Sequence, residues 1–239
     1  MKSRLGVNVD HIATLRNARG EGHPDPISYA RQVMNFGANS ITIHLREDRR
    51  HIRDEDVAIF SKIKRVPINL EMAANNEMLK IALKYKPNFV CIVPEKRNEI
   101  TTEGGLNITK NKKIIKKVIS KLNSKKIRTS LFINPNIKDV FASKELNAKC
   151  VELHTGKFAL KVKNNKNYLA EFKKIKNCAT LAKKLGMEVH AGHGLDYKST
   201  KILRKIKSIE EFNIGHFIIG EAIMFGMKKV ITNFRKILN

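Results

Sequence analysis

Short apolar runs alternate with longer amphipathic segments along almost the whole chain. The apolar runs are six or seven residues long and rich in Val, Ile and Leu, which is typical of buried strands. There are eight of them, at residues 4–9, 40–45, 66–71, 88–93, 127–133, 149–154, 187–192 and 210–215. The segments between them have helical periodicity, and strands separated by helices pair in parallel.

Eight strand–helix units in 239 residues predict an α/β fold, a (β/α)8 TIM barrel with extra helices. We expect one domain over residues 1–239. An open, doubly wound sheet is the alternative, although no GxGxxG motif follows the first apolar run.

Capping residues mark several helix ends. Asp25-Pro26 has the order of an N-cap and a first-turn proline, and Gly37 is placed to end that helix. Residues 165–186 predict the longest helix. Three more N-caps are expected at Asp54, Asn75 and Asn136.

The stretch 215–227 is too short and too apolar for periodicity to distinguish a strand from a helix. We interpret it as a short extra helix after the eighth strand, which Gly226 separates from a final helix.

Histidines and acidic residues concentrate where the predicted strands end. Seven of the eight histidines lie at strand ends or in the loops directly after them. In a barrel of this kind the reacting groups come from the C-terminal ends of the strands. We therefore predict a catalytic site there, although His154 and His190 would also fit as structural histidines of the barrel interior. The polar residues at these ends are Asn8, Asp10, His11, His44, Arg46, Glu71, Glu152, His154, His190, His193 and His216.

Three glycine-containing loops on the same rim indicate phosphate binding, because backbone N–H groups and helix N-termini bind anions. They are AGHGL (191–195), NIGH (213–216) and TTEGGL (101–106). We expect a phosphorylated small-molecule substrate.

The net charge of +25 raises the possibility of an RNA-binding protein. The lysines, however, are spread over the polar faces of helical segments, and there is no Trp and little Tyr to stack on bases. We therefore expect no nucleic-acid partner. No apolar run is long enough for a membrane span, and three cysteines without CxxC spacing are interpreted as reduced thiols of a cytoplasmic protein.

Eight segments together resemble the pyridoxine 5′-phosphate synthases of the deoxyxylulose-phosphate-dependent vitamin B6 pathway, over residues 4 to about 237. These segments are GVNVDHIATLRNARG, HLREDRRHI, NLEMA, VPEKR, TTEGGL, ELHTG, AGHGL and NIGH. The resemblance implies a TIM barrel that assembles as an octamer of dimers and uses no metal or organic cofactor. The reaction it implies condenses 3-amino-2-oxopropyl phosphate with 1-deoxy-D-xylulose 5-phosphate to give pyridoxine 5′-phosphate, phosphate and water.

The resemblance also implies roles for individual residues. His44 and Glu71 match the proton acceptors, and His193 matches the proton donor. The positions that match the aminoketone-phosphate site are Asn8, Arg19, Gly194, Gly215 and His216. The positions that match the deoxyxylulose-phosphate site are Asp10, His11, Arg46, His51 and Thr101. Because imine intermediates hydrolyse in water, a closing lid is expected, and residues 93–106 are the candidate.

One further enzyme hypothesis stays open from the residues alone. A metal-dependent barrel hydrolase would use His44, Glu71, His154 and His193 as ligands, but its usual HxH on the first strand is replaced here by VDH.

Overall fold

The computed structural model describes residues 2–95 and 104–239. Eight parallel strands form a closed barrel in chain order, β1 to β8, and β1 pairs with β8 to close it. The predicted (β/α)8 barrel is therefore confirmed, and each predicted strand is present to within two residues at each end. The strands are β1 (Arg4–Asn8), β2 (Ser40–His44), β3 (Ile68–Met72), β4 (Phe89–Ile92), β5 (Arg128–Ile133), β6 (Cys150–His154), β7 (Glu188–Gly192) and β8 (Glu211–Ile214).

Eleven helices are present in the described part of the chain. They are α1 (Asp10–Arg19), α2 (Pro26–Asn35), α3 (Asp54–Phe60), α4 (Asn76–Tyr85), α5 (Ile108–Ser124), α6 (Ile137–Glu145), α7 (Gly156–Lys163), α8 (Leu169–Lys184), α9 (Tyr197–Leu203), α10 (His216–Phe225) and α11 (Met227–Leu238). Helices α1, α7 and α10 are additional to one helix per strand, and each begins within two residues of a strand's C-terminal end. No helix of residues 2–95 or 104–239 has the length and apolar character needed to cross a membrane.

Most of the predicted helix boundaries are confirmed. Asp25 caps α2 by accepting hydrogen bonds from the N–H groups of Ile27 and Ser28, and Asn75 and Asn136 cap α4 and α6 in the same way. The short helix after β8 is α10, and Gly226 separates it from α11.

Two helix predictions are wrong, and two helices were not predicted. The N-cap of α3 is Arg53, whose N–H donates to the Asp56 carboxylate, so Asp54 is the first helical residue. The segment 165–186 forms a helix only from Leu169 to Lys184, which makes α8 shorter than the 17-residue α5. Helices α1 and α7 were not predicted, since short helices beside strand ends have weak periodicity.

The alternation of side chains along the strands separates an apolar shell from a polar barrel interior. In β2, Ile41 and Ile43 belong to the apolar core, whereas Thr42 and His44 are buried polar residues of alternate position. Successive side chains of a strand point to opposite faces, so the residues that do not face the helices face the inside of the barrel. This is why an apolar strand carries a histidine at its end.

Candidate active site at the C-terminal mouth of the barrel

His44 and Glu71 are side by side at the ends of two neighbouring strands. They are register partners in the β2–β3 pair, and His44 Nδ1 lies 3.8 Å from Glu71 Oε2. On its other side, His44 Nε2 lies 2.9 Å from Glu95 Oε1, and Glu95 Oε2 accepts the N–H of Glu47 at 2.9 Å. Because the ionised Glu95 only accepts, His44 Nε2 carries the proton. A neutral His44 therefore presents the lone pair of Nδ1 towards Glu71.

Burial raises the pKa of Glu71 well above its ordinary value, and the nearby carboxylates of Glu152, Asp10 and Glu95 raise it further. Burial also raises the pKa of Glu95, but the hydrogen bond from His44 and the charge of Arg46 leave it lowered. The pKa values of these two carboxyl groups at the same mouth are therefore shifted in opposite directions. The pKa of one is raised and that of the other is lowered, which is the usual sign of distinct acid–base assignments.

Asp10 joins the first and second strands at the mouth. Its N–H donates to Asn8 Oδ1 at 2.9 Å, and Asn8 Nδ2 donates to Asp10 Oδ2 at 2.7 Å. Asp10 Oδ1 in turn accepts the backbone N–H of His44 at 2.8 Å. This arrangement fixes the carboxylate of Asp10 and the backbone position of His44 together.

Three further predicted histidines lie around this centre. The rings of His44 and His51 are 5.9 Å apart, and those of His11 and His216 are 5.1 Å apart. Burial lowers the pKa of both His11 and His51, although the Asp10 carboxylate partly offsets it. Neutral imidazoles that both donate and accept hydrogen bonds suit the hydroxyl groups of a sugar-like substrate.

Arg46 is a buried cation whose guanidinium can still donate a hydrogen bond. Only 4% of the residue is exposed, and Nε has no hydrogen-bond partner among the described residues, with Asp48 Oδ1 at 3.5 Å. A guanidinium buried in this way is expensive unless an anion completes it. The position therefore favours binding of a negatively charged group.

His193 lies across the mouth from Glu71, in the loop after β7. Its φ of 81° is in the left-handed region, and its ring stacks on that of His154 with centroids 4.8 Å apart. Burial lowers the pKa of His193. The following residue, Gly194, also has a positive φ of 75°, so a side chain there would be strained.

Gly215 and His216 begin α10, and the helix has no side-chain hydrogen bond at its N-cap. Its first N–H groups are therefore available to an anion. A β-carbon at Gly215 would lie only 2.9 Å from Cβ of Asn8. The glycine is thus required by the close approach of β1 in the first place, whatever an anion needs.

One predicted site residue among those described does not join the cluster. Arg19 is the last residue of α1, its side chain is 73% exposed, and it pairs only loosely with Glu21 at 3.4 Å. Thr101 and residues 96–103 of the candidate lid lie outside the described residues.

One glutamate and one histidine of the strands lie deeper in the barrel than the site. Glu152 and His190 are register partners inside the barrel, one level below the mouth, and Asn213 Nδ2 donates to Glu152 Oε2 at 2.7 Å. Burial raises the pKa of Glu152 to about 7, while His190 and Asn213 oppose the shift.

Residues that the sequence did not single out complete the site. Glu95, within VPEKR, holds His44, and Thr155 and Gly156 of ELHTG lie against His193. A carboxylate directly after β4 and a hydroxyl directly after β6 were the signals for these roles.

The four ligands of the metal-hydrolase hypothesis are not grouped as such a site requires. Within the described chain, the acidic and histidine side chains close enough to share a metal ion are Asp10, His44 and His51. Two of these residues already use an atom that could bind a metal to accept a hydrogen bond. Asp10 Oδ1 accepts the backbone N–H of His44, and His51 Nδ1 accepts the N–H of Ile52 at 2.9 Å. The arrangement is better suited to hydrogen bonding than to holding a cation beside Arg46.

Comparison with known sequences gives full-length matches. The model of the family described as "Pyridoxal phosphate biosynthesis protein PdxJ" matches residues 5–239. A pyridoxine 5′-phosphate synthase from Pelagibacter ubique is 63% identical, and the match covers 99% of each chain. That of Zymomonas mobilis is 50% identical over 99% of this chain and 91% of the relative.

Solved structures with a similar fold have little sequence in common with this chain. A 4-hydroxy-2-oxoglutarate aldolase matches with a TM-score of 0.64 and 11% identity, covering 100% of this chain and 96% of that one. The tryptophan synthase A-subunit of Pyrococcus furiosus matches with a TM-score of 0.61 and 14% identity over 99% and 97% of the two chains. These likenesses indicate the barrel fold alone.

Proposed function

Because the chain belongs to the pyridoxal phosphate biosynthesis protein PdxJ family, we propose that it synthesises pyridoxine 5′-phosphate. The substrates are 3-amino-2-oxopropyl phosphate and 1-deoxy-D-xylulose 5-phosphate, and the other products are phosphate and water. The observation that carries the proposal is the pairing of His44 with Glu71, whose pKa is raised, at 3.8 Å and opposite His193.

The residue types suit the chemistry. Amine and ketone form an imine, phosphate is eliminated, water adds, and an aldol-type closure followed by loss of water makes the aromatic ring. Each step moves a proton next to a carbonyl or imine, so several positioned acids and bases are needed. His44 and Glu71 act as proton acceptors, and the raised pKa of Glu71 makes it a stronger base than an ordinary carboxylate.

His193 is the proton donor. Its lowered pKa makes the imidazolium form a stronger acid than ordinary histidine, which suits protonation of a leaving hydroxyl. The N–H groups at the start of α10 and the loop at Gly194 bind the phosphate of the aminoketone, together with Asn8 and His216.

The second substrate occupies the side of the mouth where Arg46 lies. Arg46 binds the phosphate of deoxyxylulose phosphate, and Asp10, His11 and His51 bind its hydroxyl and carbonyl groups. Thr101 is assigned to this substrate, and Arg19 to the aminoketone, by family resemblance alone. The enzyme needs no metal or organic cofactor.

The assembly proposed is an octamer of dimers in the cytoplasm. It is supported by an apolar surface on α10, where Ile223, Met224 and Phe225 are 78%, 77% and 52% exposed. Consecutive apolar side chains of this size usually belong to an interface. The three cysteines are buried and free, as a reducing compartment requires.

The test is to mix the purified protein with both substrates and to measure pyridoxine 5′-phosphate by mass spectrometry and released phosphate by a coupled assay. We expect both products only when both substrates are present, and equal activity in a metal chelator. Omission of either substrate, and deoxyxylulose without its phosphate, are the controls. No product under any of these conditions would contradict the proposal, and loss of activity in chelator would favour the metal-dependent alternative.

A further inference from the structure

The backbone at His193 is held in a conformation that its side chain does not favour. Its φ of 81° places a non-glycine residue in the left-handed region, which is unfavourable for a residue that carries a side chain. Such a residue persists only where its surroundings over-determine it, and such positions cluster at functional sites. The contacts that hold His193 in place therefore bear on its role.

Thr155 supplies the polar contacts. The residue is fully buried, and its hydroxyl oxygen lies 2.7 Å from both the Gly192 carbonyl and the His193 carbonyl. The single hydroxyl proton is shared between these two acceptors. The N–H of Thr155 also donates to the Gly192 carbonyl at 2.9 Å. The two carbonyls that flank the left-handed residue are thus tied to one side chain.

The hydroxyl of Thr155 does not cap the helix that begins after it. Thr155 is the N-cap of α7, where a threonine ordinarily accepts a hydrogen bond from the first turn of the helix. Here it makes no side-chain capping bond and donates to the loop after β7 instead. Helix capping therefore does not account for this hydroxyl.

Gly156 fixes the ring of His193 as Thr155 fixes its backbone. A β-carbon at Gly156 would lie 2.9 Å from Cε1 of His154 and 3.0 Å from Cδ2 of His193. The absence of a side chain lets the stacked pair of imidazoles lie directly on the start of α7. The dipeptide Thr155-Gly156 is in contact with both the main chain and the ring of the proton donor.

We propose that Thr155 is a positioning residue for His193, and that its hydroxyl holds the imidazole in the orientation from which the proton is delivered. The inference rests on the proposed role of His193. Thr155 itself has no part in binding either substrate.

The experiment compares Thr155→Val, which keeps the shape and removes the hydroxyl, with Thr155→Ser, which keeps the hydroxyl. We expect Thr155→Val to lower kcat by about tenfold or more, since small displacements of a catalytic group are costly. KM for both substrates should stay within about threefold, because binding is left intact. Thr155→Ser should retain most of kcat.

The matched control is Thr129→Val. Thr129 is also fully buried, and its hydroxyl donates to Asn123 Oδ1 at 3.0 Å on the outer side of β5. It should lose stability to a similar degree and keep kcat. Equal losses of kcat in Thr129→Val and Thr155→Val would show that the effect is one of stability, and would overturn the proposal.

A double-mutant cycle with His193→Asn tests whether Thr155 acts through His193. If it does, adding Thr155→Val to His193→Asn should change the residual rate little. An undiminished tenfold loss in that background would also overturn the proposal.

An NMR titration of His193, assigned with His193→Asn, separates this inference from the function itself. Thr155→Val should move the pKa of His193 up towards the ordinary histidine value, because a loosened ring gains contact with water. That shift would stand even if the wild type made no pyridoxine 5′-phosphate. An unchanged titration together with an unchanged kcat would refute the positioning role.

Discussion

The pKa values of buried carboxyl groups are shifted in opposite directions at the two ends of the barrel interior. At the C-terminal mouth, Glu71 lies among Glu152, Asp10 and Glu95, and its neighbour His44 is 3.8 Å away. Burial and these negative charges raise the pKa of Glu71. The ionised form of the group is thereby disfavoured at a cost in stability, as is usual where a site must move protons.

At the N-terminal mouth, each carboxylate is bound by cations. Glu211 accepts from Arg4 Nε at 2.6 Å and from the Ser40 hydroxyl at 3.0 Å. Glu188 bridges Arg4 and Arg128 and lies 3.0 Å from His190 Nε2. Burial opposes ionisation of Glu188 and Glu211, but the cations around them lower the pKa of both.

The difference indicates a division of labour within one polar interior. A carboxyl group without a cation near it has a raised pKa and is available for proton transfer, whereas one with two cations has a lowered pKa and ties strands together. The closing pair of the barrel, β1 with β8, carries the Arg4–Glu211 contact. The ion pairs of the N-terminal mouth therefore stabilise the barrel, whereas the buried carboxyl group of Glu71 at the C-terminal mouth lowers its stability.

The sharpest way to break the comparison is Glu71→Gln. It keeps the shape and removes the base, so we expect a fall in kcat of about 10²-fold or more, the scale of a positioned general base. Steady-state kinetics with both substrates measure the effect. Turnover within a few-fold of wild type would remove Glu71 from the catalytic groups.

The sequence revealed the barrel and most of the mouth, because both depend on local patterns. Short apolar runs locate the strands, and the C-terminal ends of parallel strands meet at one rim, which is where His44, Glu71 and His193 lie. Their roles at that rim stay predictions. Which residue caps a helix, as Arg53 against Asp54, depends on a single hydrogen bond that the pattern does not determine.

The depth of a residue within the barrel was not predictable from the pattern. His190 lies among the strand-end histidines of the sequence, where both a catalytic role and a structural role in the barrel interior stayed open, and strand register brings it beside Glu152 and Glu211 inside the barrel. Likewise, the glycine of NIGH was interpreted as part of a phosphate-binding loop, and the structure shows in addition that Gly215 leaves room for Asn8. Register and close approach are three-dimensional properties, and one sequence does not encode them in a local signal.

Glu211→Gln tests the other end of the barrel. It leaves Arg4 with one carboxylate fewer, so we expect a loss of about 1–2 kcal/mol in the free energy of unfolding, less than for a fully buried pair because Arg4 is partly exposed. Urea denaturation measures it, and kcat of the folded protein should change less than threefold. A loss of activity as large as that of Glu71→Gln would mean that the two mouths do not divide stability and function.

The pH dependence of stability should have opposite signs at the two mouths. The lowered pKa values of Glu188 and Glu211 mean that their stabilisation is complete above the ordinary carboxyl pKa of about 4.3 and is lost as pH falls below it. The deficit of Glu211→Gln relative to wild type should therefore be present at pH 7 and shrink below about pH 4. The raised pKa of Glu71 has the reverse consequence. Above the ordinary value the unfolded chain releases this proton while the folded protein binds it more tightly, so stability falls as pH rises. Glu71→Gln should thus be more stable than wild type at pH 7, by a smaller amount, and the gain should vanish towards pH 4. Urea titrations of the three proteins from about pH 2 to 8 give the two difference curves, and curves of the same sign would show that one electrostatic environment extends through the whole barrel interior.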